Sequence, residues 1–228
     1  EGRRQVGEEL VDTLVELHAV DWRAAGLEGR SGGYLERQLR RWAGQWELTR
    51  PRTRQLPGLD EVTRWLEANL PSEADSPAAT VVHGDYKLDN VMFAAERPQL
   101  LAIFDWEMAT IGDPLADLGW LLSVWGGEGN TQPPEGFQAE ALPPPVTALP
   151  GFLSAAEIAA LYEAKSGRSM RNFRFYRVMA VYKMAIILEG LYMHYVESTA
   201  ANPGAKEFEW RVPNLVDRMH QLMRDARV

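Results

Sequence analysis

The sequence predicts an α+β protein that is mainly helical and carries a small β insert in its middle. Three observations support this class. Apolar residues recur at three- and four-residue spacing through much of residues 4–70, short β-type runs follow between residues 80 and 104, and a nearly continuous apolar segment spans residues 172–198. Three- and four-residue spacing is typical of amphipathic helices, and short β-branched runs are typical of strands.

Three helices are predicted before the strands. The first spans residues 4–20, with His18 near the end of its apolar face as a packed core residue. The second spans residues 34–46 and carries leucine and tryptophan on one face. The third follows Asp60, whose side chain suits an N-cap, and ends before Pro71 because proline cannot continue a helix.

The β insert consists of three predicted strands. They occupy residues 80–83, 91–93 and 100–104, and a turn around Pro98 joins the last two. Residues 112–114, Gly-Asp-Pro, then start a helix that we expect to stop at the two glycines that begin at position 126.

The rest of the chain is predicted to be helical after one irregular region. Residues 126–151 are rich in proline and glycine and form an irregular loop within a single domain, residues 1–228, rather than a linker between two domains. Ser154 opens the next helix as part of a capping box. Residues 172–198 form a buried central helix, and a last helix follows Pro213.

Composition excludes several classes of function. Twenty-four basic and 32 acidic residues give a net charge of −8, which disfavours nucleic acid and anionic membranes as partners. The chain has no cysteine, so disulfides and thiolate chemistry are excluded, and a reducing cytoplasm is the expected location. The most apolar stretch, residues 178–193, is interrupted by Lys183 and Glu189 and is too short to cross a bilayer comfortably.

The candidate chemistry lies in the β insert. Asp85 follows the first strand, Asn90 comes five residues later, and Asp105 ends the third strand. This spacing matches that of the catalytic aspartate and the metal-binding asparagine in the catalytic loop of protein kinases. A carboxylate that orients a hydroxyl group, together with oxygen ligands for Mg²⁺ on the phosphates, is what phosphoryl transfer requires.

Neighbouring residues are assigned supporting roles. Lys87 is expected to contact the transferred γ-phosphate, although a solvated surface lysine is the alternative. His83 and Gly84 are expected to be structural. Asp113 is expected to cap the following helix.

Two further acids lie close to these residues in the sequence. Asp117 is expected to accept hydrogen bonds from backbone amides of the catalytic loop. Glu107 is either a secondary metal contact or an exposed loop acid.

At these residues the sequence resembles the aminoglycoside phosphotransferase and choline kinase superfamily, which has a protein-kinase-like fold. The match covers His83-Gly84-Asp85 through Asn90, Asp105, the Gly-Asp-Pro of residues 112–114, and Asp117-Leu118. The longer sequence formed by residues 83–93 and 103–120 is most similar to the kinase-like domain fused to some acyl-CoA dehydrogenases and to its free-standing bacterial relatives.

The resemblance implies ATP and Mg²⁺ as cofactors and a small-molecule hydroxyl acceptor as substrate. It implies that Asp85 is the catalytic base, that Asn90 and Asp105 bind Mg²⁺, and that Asp117 braces the loop. Acceptors implied for this branch are hydroxylated acyl groups or their CoA thioesters, while the wider family acts on antibiotics, sugars and amino alcohols. Members also carry an N-terminal β-rich lobe with a nucleotide-pairing lysine. No such stretch precedes Glu1, so the chain resembles the C-terminal lobe alone.

Three hypotheses follow. The first is a small-molecule O-phosphotransferase that is represented here by its catalytic lobe. The second is a catalytically incompetent kinase-like module that binds or regulates, or a truncated fragment. The third is a metal-dependent hydrolase, which the lack of a histidine-rich ligand set disfavours.

Overall fold

A computed structural model of the chain describes residues 2–72, 78–126, 145–197 and 203–225, together with Pro133 and Glu135. The helices in these residues are α1 (Gly2–Ala19), α2 (Tyr34–Thr49), α3 (Leu59–Ala68), α4 (Leu115–Ser123), α5 (Ala155–Ser166), α6 (Phe173–Glu197) and α7 (Phe208–Arg224). The strands are β1 (Thr80–Val82), β2 (Val91–Phe93), β3 (Leu100–Ile103) and β4 (Thr110–Gly112). This arrangement confirms the mainly helical α+β class. Of the predicted loop at residues 126–151, residues 127–132, 134 and 136–144 lie outside the described residues, and Val146–Ala148 form a short 3-10 turn.

Helix α6 forms the centre of the core. It packs against α2, α3, α4 and α7, and its apolar side chains are buried around most of its circumference. Helix α1 packs separately against α5 and against the strands. A helix that is apolar on all sides gains most when it is surrounded by other helices, which accounts for the central position predicted for this segment. None of the described helices is long and apolar enough to cross a membrane.

The strands form two small antiparallel ladders. Strand β1 pairs with β4, with Thr80 opposite Gly112, and β2 pairs with β3, with Val91 opposite Ile103. The sequence prediction missed β4, since a three-residue strand is too short to show an alternating pattern. His83 and Phe104, which were predicted as strand ends, lie just outside the ladders. Both ladders therefore end at the loops that carry the candidate site.

Two predicted ends of helices were wrong. The residue before α3 is Gly58, with φ +90°, and Asp60 lies inside the first turn rather than at the N-cap. The positive φ favours glycine there, and a Cβ would also lie 2.6 Å from His220 Nε2 on α7, so that side chain would have to move. Helix α4 ends at Ser123, three residues before the glycine that was expected to stop it.

The predicted start of α7 was also wrong, because Pro213 lies inside this helix rather than before it. Proline has no N–H, so the carbonyl of Glu209, four residues earlier, loses its usual helical donor. Arg54 donates to that carbonyl, and it also donates to Phe208 O at 2.7 Å. A distant side chain thus satisfies the backbone that the proline leaves unpaired.

Candidate active site

The loop between β1 and β2 begins with a turn that only glycine tolerates. Gly84 has φ +82°, and a Cβ on it would lie 2.7 Å from the carbonyl oxygen of Met108. Asn90 closes the loop, since its N–H donates to Lys87 O at 3.0 Å before β2 begins. The loop is therefore a compact turn that places Asp85 and Asn90 side by side.

The Asp85 carboxylate is held by three donors. Trp120 Nε1 donates to Oδ1 at 2.6 Å. Lys87 Nζ and Asn90 Nδ2 both donate to Oδ2, each at 2.8 Å. The side chain is 15% exposed, so one side of the carboxylate remains open to a ligand. Oriented in this way, the carboxylate can accept a hydrogen bond from a hydroxyl group that approaches from the open side.

These contacts keep Asp85 ionised. Burial by itself raises the pKa of a carboxyl group, but here the hydrogen bond and charge of Lys87, with the hydrogen bonds of Asn90 and Trp120, outweigh it. The net result is a pKa of Asp85 below its ordinary value. The group is therefore available as a carboxylate over the neutral pH range.

Asp117, on α4, fixes the start of the loop. Its Oδ2 accepts the N–H of His83 at 2.6 Å, and its Oδ1 accepts the N–H of Gly84 at 2.7 Å. His18 Nε2 lies 3.4 Å from Oδ2, and His18 Nδ1 lies 2.7 Å from the hydroxyl of Tyr162. All of these side chains are buried. A buried carboxylate is costly unless it is hydrogen-bonded, so these donors stay bound to Asp117 and the start of the loop is held in place.

His83 connects the loop to the segment that carries Asp105. Its ring Nε2 is bonded to Phe104 O at 2.8 Å, and its Nδ1 accepts the N–H of Asp85 at 3.2 Å. The ring lies 4.8 Å from that of Trp106, centroid to centroid. His83 therefore holds Asp85 and the residues around Asp105 in a fixed relation.

Asp105 lies beside Asn90 in a constrained backbone conformation. The N–H of Phe104 donates to Asn90 O at 2.8 Å, so Asp105 follows directly at the end of the β2–β3 ladder. It has φ +66°, and among the described residues it is the one non-glycine residue with positive φ. Its exposed carboxylate makes no hydrogen bond or ion pair with the described residues. Such conformations recur where the side chain has a functional task.

The donor set at this point suits Mg²⁺. Asn90 uses its amide nitrogen on Asp85, and none of the described residues donates to its Oδ1. Asp105, which follows the residue whose N–H bonds to Asn90 O, adds a carboxylate that is unpaired among the described residues. No group of three or more His, Cys, Asp or Glu residues in the described parts of the chain could hold a metal by itself. Mg²⁺ is commonly bound by one or two protein oxygens together with substrate phosphates and water, and the two side chains fit that pattern.

The two other acids that were singled out in the sequence have different surroundings. Asp113 Oδ1 accepts the N–H of Leu115 at 3.0 Å, and its Oδ2 accepts the hydroxyl of Tyr176 at 2.7 Å, so it joins the start of α4 to α6. Burial raises the pKa of Asp113 to about 6, although these two hydrogen bonds and the charge of Arg168 oppose the rise. Glu107 is exposed and makes no hydrogen bond or ion pair with the described residues.

Sequence reasoning missed two residues of the site, Trp120 and Lys183. Lys183 Nζ donates to Gly84 O at 2.7 Å and lies 4.0 Å from the centre of the Trp120 ring. Burial lowers the pKa of Lys183 to about 8, against the opposing charges of Asp85 and Asp117. The available signal was a lysine inside the most apolar segment of the chain, since a charge in such a helix requires a partner.

A pocket opens next to these residues, between α2, α4 and α6. Its enclosed volume is about 40 Å³, and it is about 450 Å³ when the open space at its mouth is included. Aromatic side chains supply much of its lining, and its charged groups are Lys183 and Asp117. The aromatic residues in its wall are Tyr34, Trp42, Trp120 and Tyr176. Gly84 and Trp120 line the pocket and are also neighbours of Asp85, so the pocket reaches the residues that hold the carboxylate, although Asp85 itself is not part of the lining.

Known proteins are similar to this chain in sequence and in fold. The sequence profile of the phosphotransferase enzyme family matches residues 1–155. Acyl-CoA dehydrogenase family member 11 of Gallus gallus is 30% identical over an alignment of 224 positions, which covers 93% of this chain and 27% of that protein. Acyl-CoA dehydrogenase family member 10 of Mus musculus is 30% identical over 197 residues, or 85% of this chain and 18% of that protein. The chain thus spans about a quarter or less of these relatives.

A solved structure gives the same result at the level of the fold. A protein of Ralstonia eutropha, assigned provisionally as an aminoglycoside phosphotransferase, superposes with a TM-score of 0.80 at 30% identity. The superposition covers 98% of this chain and 66% of that protein.

Proposed function

Since the chain belongs to the phosphotransferase enzyme family, we propose that it is the catalytic lobe of an ATP- and Mg²⁺-dependent enzyme that phosphorylates a hydroxyl group of a small molecule. The family itself was predicted from the sequence and is confirmed. The observation that supports the proposed reaction best is the Asp85 carboxylate, which is held by Trp120, Lys87 and Asn90 with one side open.

Asp85 is proposed to act as the catalytic base. Its carboxylate orients the acceptor hydroxyl and takes up the hydroxyl proton as the bond from the hydroxyl oxygen to the γ-phosphorus forms, while the bond between the γ-phosphorus and the bridging oxygen breaks and ADP leaves. When bound, ATP would supply the γ-phosphate and Mg²⁺ would neutralise part of the phosphate charge. Asn90 Oδ1 and the Asp105 carboxylate would hold the metal, and the fixed geometry at His83 keeps them beside Asp85. No large rearrangement of the loop is required for these roles.

Lys87 is bonded to Asp85 in this structure, so its proposed contact with the γ-phosphate requires that pair to open. Nζ lies 2.8 Å from Asp85 Oδ2, and the lysine side chain is 25% exposed. An arriving phosphate carries more negative charge than the single carboxylate and would compete for the ammonium group. Lys87 would then stabilise the transferred group while Asp85 binds the acceptor hydroxyl.

The lining of the pocket favours a hydroxyacyl-type acceptor over an aminoglycoside. Asp117 is the acid among the described lining residues, and the loop amides and His18 already occupy its oxygens. Lys183 places a cation in the wall. A polycationic aminoglycoside would meet like charge without an acidic partner, whereas an apolar chain can pack on the tryptophan and tyrosine rings.

The experiment uses the full-length protein in which this chain occurs and measures ATP-dependent phosphorylation of hydroxyacyl-CoA and aminoglycoside acceptors. We expect transfer to the hydroxyacyl acceptors, and a loss of roughly a thousandfold or more in kcat for Asp85→Ala. Asp89→Ala is the matched control, since Asp89 is an exposed acid in the same loop. Unchanged turnover in Asp85→Ala would refute the mechanism. Binding of ATP without transfer to any acceptor would favour the alternative, a kinase-like binding module.

A further inference from the structure

Lys183 is a charged residue in the largely apolar middle of helix α6, and it faces the candidate site. Its neighbours along the helix, Tyr182, Met184 and Ala185, are buried. Its own ammonium group reaches the first turn of the loop, where Nζ donates to Gly84 O at 2.7 Å. A partly buried ammonium group is costly unless it is bonded, so this contact fixes the end of the side chain.

The same ammonium group lies against the indole that holds Asp85. Nζ is 4.0 Å from the centre of the Trp120 ring, a distance at which a cation is attracted to the ring face. Trp120 Nε1 donates to Asp85 Oδ1 at 2.6 Å. Lys183 therefore contacts Gly84, the residue before Asp85, and Trp120, the donor to its side chain.

We propose that Lys183 is a positioning residue of the phosphoryl-transfer site, whose ammonium group holds Gly84 and the Trp120 indole and thereby sets the orientation of the Asp85 carboxylate. This inference rests on the proposed function only for its consequence in catalysis, since the contacts themselves can be tested without substrate. Lys183 does not touch the reacting atoms and acts through its two neighbours.

The strength of the two contacts that Lys183 makes, with Gly84 O and with the Trp120 ring, depends on the charge of Lys183. We call this pair of contacts the clamp. Charged groups of both signs surround the Lys183 ammonium group: the acids Asp85 and Asp117, and the bases Arg41 and Lys87. Tyr34 and Tyr176 line the same pocket. Burial brings the pKa of Lys183 down to about 8, so the lysine loses its proton between about pH 7 and pH 9. A neutral amine binds both a carbonyl and a ring face more weakly than an ammonium group does.

The first test is a ¹⁵N-tryptophan NMR titration of the protein without substrates. The chain has eight tryptophans, and Trp120→Phe assigns the indole of interest. We expect the Trp120 indole N–H to shift with a midpoint near the lysine pKa of about 8. Lys183→Met should abolish the shift, and Lys183→Arg should keep the low-pH position throughout pH 7–9.5. A Trp120 indole that does not titrate, or that titrates equally in Lys183→Met, would overturn the proposal.

The second test measures turnover in the full-length protein. Lys183→Met should lower kcat by roughly tenfold and change the KM for ATP less than about threefold, since the loop is misaligned while the nucleotide contacts remain. Lys183→Arg should recover part of kcat and remove the fall in kcat above pH 8. Lys206→Met, an exposed lysine in the turn before α7, is the control. An alkaline fall that persists in Lys183→Arg would contradict the assignment. Absence of any phosphotransferase activity would refute the proposed function and leave the NMR result to decide the clamp.

Discussion

At the scale of single residues, the site depends on two backbone conformations that most side chains avoid. Gly84 has φ +82° and Asp105 has φ +66°. At Gly84 the missing side chain lets the loop pass close to Met108, and at Asp105 an aspartate tolerates a conformation that costs most residues about 1–2 kcal/mol. The loop at Gly84 and the residue Asp105 therefore both have an unfavourable backbone conformation, and the surrounding hydrogen bonds offset its cost.

We predict that Gly84→Ala destabilises the protein by about 2 kcal/mol, since it combines a positive φ with a close contact to backbone. The new Cβ would lie 2.7 Å from Met108 O. Gly44→Ala is the matched control, because Gly44 lies within helix α2 and its Cβ would meet nothing within 4 Å. That control should stabilise by about 0.5 kcal/mol. Urea denaturation gives both values, and equal effects of the two substitutions would contradict the analysis of the turn.

At the scale of elements, α6 and α7 are joined by polar groups as well as by apolar packing. Glu189 on α6 is fully buried, and Arg54 Nη2 lies 2.9 Å from its Oε2. The same arginine binds the backbone that Pro213 leaves unpaired at the start of α7. Arg54 also lies over the Tyr192 ring, 4.3 Å from its centre. One side chain from the segment before α3 therefore serves two helices.

Arg54→Ala is predicted to destabilise the protein by about 3 kcal/mol, because it leaves Glu189 as a buried and weakly paired charge. Arg52→Ala provides the comparison. Arg52 pairs with Glu197 at 2.6 Å, but both side chains are substantially exposed, at 55% and 39%, and exposed pairs contribute less than about 1 kcal/mol. Thermal and urea unfolding measure both variants. Similar losses for Arg52→Ala and Arg54→Ala would show that the buried pair is not the stabilising contact.

At the scale of the whole molecule, the proposed site has an open side near the β2–β3 ladder. Four large apolar side chains are exposed around it, at 43–54%: Met92, Leu101, Phe104 and Trp106. Exposed apolar side chains often mark a surface that binds a ligand or another domain. Next to a candidate metal site, a nucleotide base and a second lobe are suitable partners for them. This observation supports the proposal that an N-terminal lobe, where one accompanies this chain, completes the nucleotide pocket.

Binding of Mg·ATP should therefore be at least about tenfold tighter in a protein that carries the N-terminal lobe than in this chain, since more of the nucleotide is buried. Isothermal titration calorimetry compares the two. Within the longer protein, Asp105→Asn should weaken the Mg²⁺-dependent part of binding, while Glu107→Gln, an exposed acid two residues away, should not. Equal affinity with and without the lobe would refute the proposal of a shared pocket.

The sequence by itself determined the helices with clear apolar periodicity, the capping box at Ser154 and Glu157, and the Asp85–Asn90–Asp105 pattern. These features are set by local spacing, which is visible in one chain. The catalytic and metal-binding roles of these residues stay predictions. Strand β4 escaped the prediction because its three residues become a strand only by pairing with β1.

Only the tertiary structure decided how the carboxylate of Asp85 is held. Trp120 is 35 residues away from Asp85, and Lys183 is 99 residues away from Gly84, so no local spacing relates them. The same is true of Arg54 and the carbonyl of Glu209, which are 155 residues apart. Each contact exists because the chain packs around α6 and brings polar groups together in a low-dielectric interior, where each of them requires a partner.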